Sequence, residues 1–249
     1  ATSFMTMPIV GPIISMNASM PSVSIMAKTA RLRRWFSSVT IDPFNERRRR
    51  TLACDTLYVN HMKRIIFATQ NPGKLEEMRQ LMADLDVEVV SAYDAGVHED
   101  VEEDQETFEG NALKKAMFVA EKTAEWSVAD DSGICINALN GDPGVYTARW
   151  AGEGASDEVL IQHTLEKLKD IPEGKRQASF VSVVALVSPG GKSEVFEGTV
   201  AGRIPVNPVG EHRPKLPYDV IFIPDGSDET FAQMSDEQKN AISHRGLAF

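Results

Sequence analysis

Four stretches of this chain hold side chains able to handle a phosphorylated substrate. The first, Thr69-Gln70-Asn71-Pro72-Gly73-Lys74, joins a short apolar run to a helix-periodic one. A helix N-terminus presents free backbone N–H groups and the positive end of its dipole, which favours phosphate. Gly73 lets a backbone come close, Lys74 adds a cation, and Asn71 can donate through its amide or cap the helix. A capped helix start with a solvated lysine fits the same spacing, so both readings stand on these residues alone. The stretch is not a Walker A loop. The nearest approach to one, Gly191-Lys192-Ser193, has Leu186 where the first glycine belongs and reads as a hairpin turn.

The second stretch, Asp130-Asp131-Ser132-Gly133, lies between two apolar segments. Carboxylates at a strand end cost desolvation unless paired, hydrogen-bonded or on a metal. Hard oxygen ligands suit magnesium, which takes one or two carboxylates plus substrate phosphates. A solvated turn is the other reading, and the apolar flanks favour a site. The third stretch, Glu99–Glu106 (EDVEEDQE), is a solvated acidic loop unless one carboxylate completes a metal site with Asp131. The fourth groups Lys239, His244 and Arg245. The first two fit near the end of one helix, where cations simply complement the dipole. Arg245 also offers a bidentate donor for phosphate or a base edge.

The elements that must position these groups read as alternating strands and helices. Arg64–Thr69 is a buried strand, and Lys74–Leu85 carries Leu75, Met78, Met82 and Leu85 at helical spacing. Val87–Val90 is a second strand and Thr107–Ala124 a second helix. Val128–Ala129 and Ile134–Leu139 flank the Asp-Asp-Ser-Gly stretch. Ser156–Asp170 is a polar-faced helix, and Gln177–Ser188 and Ser193–Ala201 form a hairpin around Pro189-Gly190-Gly191. Val220–Pro224 is a further strand, and the capping box Ser235–Gln238 opens a last helix. The expected fold class is α/β, with a mixed central β-sheet flanked by helices.

The ordered domain is expected over residues 62–249. Residues 1–60 form an N-terminal extension holding five of the ten methionines and no acidic residue before Asp42. The basic, serine-bearing stretch Arg31–Ser38 fits a mitochondrial or plastid transit peptide, against a disordered extension. The net charge of -10 is unevenly spread, because residues 1–54 hold eight basic and two acidic residues. The acidic body argues against binding a nucleic-acid polymer but not against a nucleotide, which a local cationic pocket or metal can hold. No apolar run approaches a membrane span. Two cysteines, Cys54 and Cys135, make neither a disulfide framework nor a zinc site, so a reducing cytoplasmic or organellar compartment is expected.

Taken in order, FATQNPGKLEE (67–77), ETFEGNA (106–112), ADDSGICINALNGDPGVYTARWAG (129–152) and FAQMSDEQKNAISHRG (231–246) resemble the inosine triphosphate pyrophosphatase family. The resemblance runs from about Lys63 to Phe249. It implies that family's fold and hydrolysis of a nucleoside triphosphate between its α and β phosphates. It also implies preference for ITP, dITP and XTP, a magnesium requirement, and a homodimer. Carried over by position, Thr69–Lys74 hold the triphosphate. Asp131 binds magnesium and accepts the proton of the attacking water, and Glu102 is the other metal carboxylate, with Glu103 adjacent. Ser132, Tyr218, Asp219, Lys239, His244 and Arg245 contact the substrate.

The chain departs from that pattern before Tyr218-Asp219. The family's glycine-rich Gly-Phe-Gly stretch is replaced by Pro208-Val-Gly-Glu-His-Arg-Pro-Lys-Leu-Pro217, with Leu216 where phenylalanine is expected. Gly110 also stands where the family has glutamate. The alternative reading is therefore a catalytically weak nucleotide-binding homologue with altered base selectivity. A Nudix hydrolase would need a glutamate-rich helix motif that the sequence lacks.

Overall fold

The computed structural model describes residues 64–85 and 87–249, so the expected N-terminal extension lies outside the described residues. One mixed sheet of six strands organises this part of the chain, in the order β2-β1-β3-β4-β5-β6. The strands are β1 (Arg64–Phe67), β2 (Glu88–Ser91), β3 (Ser127–Ile136), β4 (Gln177–Val187), β5 (Ser193–Arg203) and β6 (Ile223–Pro224). β1 runs parallel to β2 and β3, while β4 to β6 are antiparallel to their neighbours. The helices are α1 (Pro72–Leu81), α2 (Phe108–Thr123), α3 (Asp157–Lys167), α4 (Asp236–Ile242) and α5 (His244–Ala248).

Side chains alternate across a strand, so β1 serves two cores at once. Ile65 and Phe67 pack with Met78, Met82, Val184 and Phe249 under α1 and α5. Ile66 faces the other way, onto Ala112, Ala116 and Val119 of α2. A third cluster, around Ile134, Phe180, Ile221, Phe222 and Phe231, fills the far half of the sheet.

Three expectations are corrected. The Asp-Asp-Ser-Gly stretch is no turn at a strand end but the middle of β3, paired residue for residue with β4 from Ser127↔Val187 to Ile136↔Ala178. Tertiary pairing with an eleven-residue, mostly buried strand outweighs the turn preference of Asp, Ser and Gly. Val220 lies in a 3₁₀ turn, Pro217–Ile221, with only Ile223 and Pro224 joining the sheet. The C-terminal helix is two helices: Ser243 is extended (φ −70°, ψ 160°), and its hydroxyl caps α5 through Gly246 N. Lys239 and His244 therefore sit on different helices, and His244 and Arg245 open α5 rather than end a helix.

The α4–α5 corner is held against β5 by a glycine contact. A Cβ on Gly198 would lie 2.1 Å from His244 O and 2.6 Å from Ala248 N. Both neighbours are backbone, so overpacking cannot be relieved by a rotamer change. Gly198→Ala is expected to cost about 3 kcal/mol in urea unfolding. Thr199→Ala, on the exposed face of the same strand, is expected to cost within about 0.5 kcal/mol.

Candidate active site

The sheet opens a crevice where β1 leaves it. β1 pairs with β3 only at Ile66↔Ser127 and Phe67↔Val128, and the last link is Ala68 N donating to Val128 O at 2.8 Å. The chain then turns through residues 69–71 into α1, while β3 runs on. Ligands of open α/β sheets bind in such a crevice beyond the strand ends. A cavity of about 1030 Å³ opens there, and Thr69, Gln70, Asn71, Pro72, Lys74, Glu102, Asp131, Ser132, Tyr218, Asp219, His244 and Arg245 all line it. Gly73 and Lys239 do not.

Asn71 shapes the start of α1. Its Oδ1 accepts from Gly73 N at 2.9 Å and Lys74 N at 3.2 Å, while its Nδ2 donates to Lys215 O at 3.1 Å. The capped helix start is thus present, but its lysine is ion-paired rather than free. Lys74 is half-buried with Nζ 3.1 Å from Asp130 Oδ2, and desolvation lowers its pKa against the pull of Asp130. What approaches Gly73 is the 208–217 segment: a Cβ there would lie 3.2 Å from Leu216 Cγ and 3.4 Å from Pro214 O.

β3 sorts its two aspartates to opposite faces. Asp131 lines the cavity. Its Oδ2 accepts from Asn111 Nδ2 at 3.0 Å, its Oδ1 accepts from Ser132 N at 3.1 Å, and Lys115 Nζ stands 3.6 Å from Oδ1. Burial raises its pKa, with Lys115 opposing. Lys115 also donates to Glu103 Oε1 at 2.7 Å and Asp130 O at 2.8 Å. Arg149 clamps Glu103 from the other side, through Glu103 O at 2.7 Å and Oε2 at 3.3 Å. Glu102 is exposed on the same wall, and its carbonyl accepts from Lys114.

Asp130 faces a buried ionic frame. Its Oδ2 takes Lys74, Arg245 Nε at 3.2 Å and Ser132 Oγ at 3.1 Å. Arg245 reaches Glu77 through Nη1 and Ser132 Oγ through Nη2 at 3.0 Å, so its donors are committed on three sides. Lys239, 1% exposed, bridges Glu77 and Asp219 behind the cavity wall. Beside this frame, the His244 ring stacks on Phe180 at 4.5 Å with 10° between planes, and among the described residues neither ring nitrogen has a hydrogen-bond partner. Burial, with Arg245 and Lys239 adding to it, lowers its pKa well below the usual value and keeps the imidazole neutral. Burial pushes Tyr218 up to about 12, and its hydroxyl donates to Thr147 O at 2.9 Å.

Sequence reasoning passed over Glu77, Asn111, Lys115, Arg149 and Phe180. The spacing of Lys74 and Glu77 places both on one face of α1, but only the packing of α4 and α5 over that face buries them. Arg149 lies within the 129–152 stretch that carries the resemblance, whereas no comparable sequence signal marks Phe180.

The frame makes a direct prediction. Glu77→Gln leaves two buried cations short of a carboxylate and is expected to cost about 4 kcal/mol in urea unfolding. Adding Lys239→Met should recover part of it. Burial works against ionising Glu77, but Arg245 and Lys239 outweigh it, so its folded pKa lies below the ordinary value. A lowered pKa contributes stability above the unfolded value that is lost as pH falls. The wild type should therefore lose stability from roughly pH 5 to pH 3 more steeply than Glu77→Gln.

Residues 65–249 match the model of the Ham1 family. The dITP/XTP pyrophosphatase of Bacillus subtilis is 41% identical over 187 residues, covering 75% of this chain and 93% of that protein. That of Geobacter sulfurreducens is 43% identical, with the same coverage of 75% and 93%. The solved Ham1 protein of Staphylococcus aureus is 40% identical with a TM-score of 0.65, covering 75% of this chain and 94% of that one. A nucleoside-triphosphatase/dITP/XTP pyrophosphatase of Mycobacterium abscessus is 42% identical with a TM-score of 0.61, covering 74% and 96%. On this identity, and on a fold shared over nearly the whole length of those proteins, the chain belongs to the Ham1 family.

Proposed function

We propose that this protein hydrolyses non-standard purine nucleoside triphosphates, ITP, dITP and XTP, to the monophosphate and pyrophosphate. The observation that carries the reading is Asp131: a buried carboxylate in the crevice, flanked by Lys74 and Lys115, in a chain whose named relatives are dITP/XTP pyrophosphatases.

Asp131 is the proton acceptor for the attacking water. Burial raises its basicity, and Asn111 Nδ2 and Ser132 N hold its two oxygens in place. Thr69–Lys74 seat the phosphate chain, with Lys74 and Lys115 supplying charge that the transition state needs. Asp131 and Glu102 both line the cavity and offer hard carboxylate oxygens, a donor set that suits magnesium, which takes one or two protein carboxylates when phosphates and water complete its shell. Asp131 and Glu102 would hold it, while Lys115 and Arg149 keep Glu103 occupied. When bound, the metal neutralises phosphate charge and acidifies water. Ser132, Tyr218, Asp219, His244 and Arg245 enclose the nucleoside end, with Lys239 bracing Asp219 from behind. A 6-oxo purine would pair with donors that leave an adenine amino group unsatisfied.

The reading extends to a homodimer in the cytoplasm, or in a mitochondrion or plastid if residues 1–60 are a transit peptide. Among the described residues no helix is long and apolar enough to cross a membrane. The weak-homologue alternative has less support, because Lys74, Lys115 and Asp131 all converge on one crevice.

With magnesium, pyrophosphate release is expected from ITP, dITP and XTP well above GTP and dATP, and chelation should abolish it. Asp131→Asn should lower kcat by at least about 100-fold with the melting temperature little changed. A fully active Asp131→Asn protein would remove Asp131 as the base. Binding of ITP without pyrophosphate release would favour the weak homologue.

A further inference from the structure

The cations lining the cavity are nearly all committed to internal carboxylates. Lys74 pairs with Asp130, Lys115 with Glu103, Arg149 with Glu103, and Arg245 with Glu77 and Asp130. Lys215 differs. It lines the same cavity, and among the described residues its ammonium has neither a carboxylate nor a hydrogen-bond partner.

Its backbone is held in an unusual state. Lys215 has φ +65°, a region that side-chain-bearing residues rarely adopt and that clusters at functional sites. The conformation is pinned from both sides. Lys215 N donates to Asp157 Oδ2 at 2.7 Å, and Lys215 O accepts from Asn71 Nδ2 at 3.1 Å. The second bond comes from the carboxamide that caps the 69–74 turn, so the kink sits on the phosphate cradle itself. The loop's other two basic side chains are engaged elsewhere. His212 meets Asp157 at 3.1 Å, while Arg213 meets Asp236 at 2.8 Å and Met234 O at 2.7 Å. The loop is thus fastened on α3 and α4, and Leu216 rests against Gly73. The residue left over lines the cavity and is bonded through its backbone to the 69–74 turn.

We infer that Lys215 is a further substrate-binding cation: its ammonium takes the phosphate chain of a triphosphate lying over residues 69–74, whatever the base. The inference rests on the reading that this cavity holds a nucleoside triphosphate. An exposed cation contributes modestly and is screened by salt, so the effect falls on binding rather than on the chemical step.

The test measures KM and kcat for ITP, and the affinity for inorganic tripolyphosphate by calorimetry with magnesium, in the wild type, Lys215→Gly, Lys215→Gln and Lys215→Arg. Glycine removes the charge while easing the backbone, so it separates charge from strain. Both uncharged variants are expected to raise KM and weaken tripolyphosphate binding about fivefold, with kcat within about twofold. The difference should shrink in roughly 0.5 M NaCl, and Lys215→Arg should match the wild type within about twofold. Unchanged tripolyphosphate binding in Lys215→Gly, or no binding by the wild type, overturns the inference. If the wild type hydrolyses no triphosphate yet binds tripolyphosphate in a Lys215-dependent way, the cation site stands and the proposed reaction falls.

Discussion

Three carboxylates and three cations, drawn from five separate elements, neutralise one another inside this protein: Asp130, Glu77 and Asp219 against Lys74, Arg245 and Lys239. An isolated buried charge costs several kcal/mol, so none of these groups is tolerable without the others. Lys74 and Glu77 come from α1, Asp130 from β3, Asp219 from the 3₁₀ turn, Lys239 from α4 and Arg245 from α5. The frame thereby fixes how α1, α4 and α5 sit on the sheet. Those are the elements that carry the 69–74 turn and part of the cavity wall. Such a frame contributes less net stability than an apolar core would, but a misplaced element would strand a charge, so it specifies one arrangement.

The two aspartates of β3 show how that frame coexists with chemistry. One residue apart, they face opposite sides of a continuous strand, and their environments push them in opposite directions. Burial resists ionisation of Asp130, but Lys74 and Arg245 overcome it and hold its carboxyl well below the usual range. Burial of Asp131 raises its pKa, and Lys115 at 3.6 Å offsets only part of that. The first is a permanently charged strut. The second is the more basic carboxylate and faces the cavity. β1 must end early for this to work, since a longer β1 would cover the edge of β3 beside both residues.

Periodicity made much of the fold legible. Met78 and Met82 do pack under the sheet, and the alanine-rich face of α2 does meet Ile66. Residue type was a weaker guide. Asp, Ser and Gly in a row left a turn open and broke the expected strand in two, yet Gly133 is needed inside a continuous β3 because Gly144 O and Thr147 Oγ1 would lie 2.3 and 2.5 Å from a Cβ there. Lys74 looks like a surface lysine because nothing local shows that Asp130, fifty-six residues on, will face it. Most of the residues that resemblance assigned line the cavity, but it did not separate Lys239, which braces the wall, from residues that form it. Contacts of long sequence separation, such as Arg245 to Glu77, have no local signature.

Asn71 also ties the two ends of the cavity together. Its oxygen organises the start of α1, and its nitrogen holds the backbone of the loop leading to Tyr218 and Asp219. Gly73 adds a second tie, because Leu216 packs where a side chain would otherwise stand. Movement of the 208–217 segment therefore cannot be independent of the 69–74 turn: lifting the loop breaks the Asn71–Lys215 bond and exposes Gly73. One carboxamide and one glycine contact thus link the 208–217 segment to the 69–74 turn directly. The unusual composition of 208–217 therefore bears on the shape of the 69–74 turn as well as on the loop itself, because the segment rests directly on that turn.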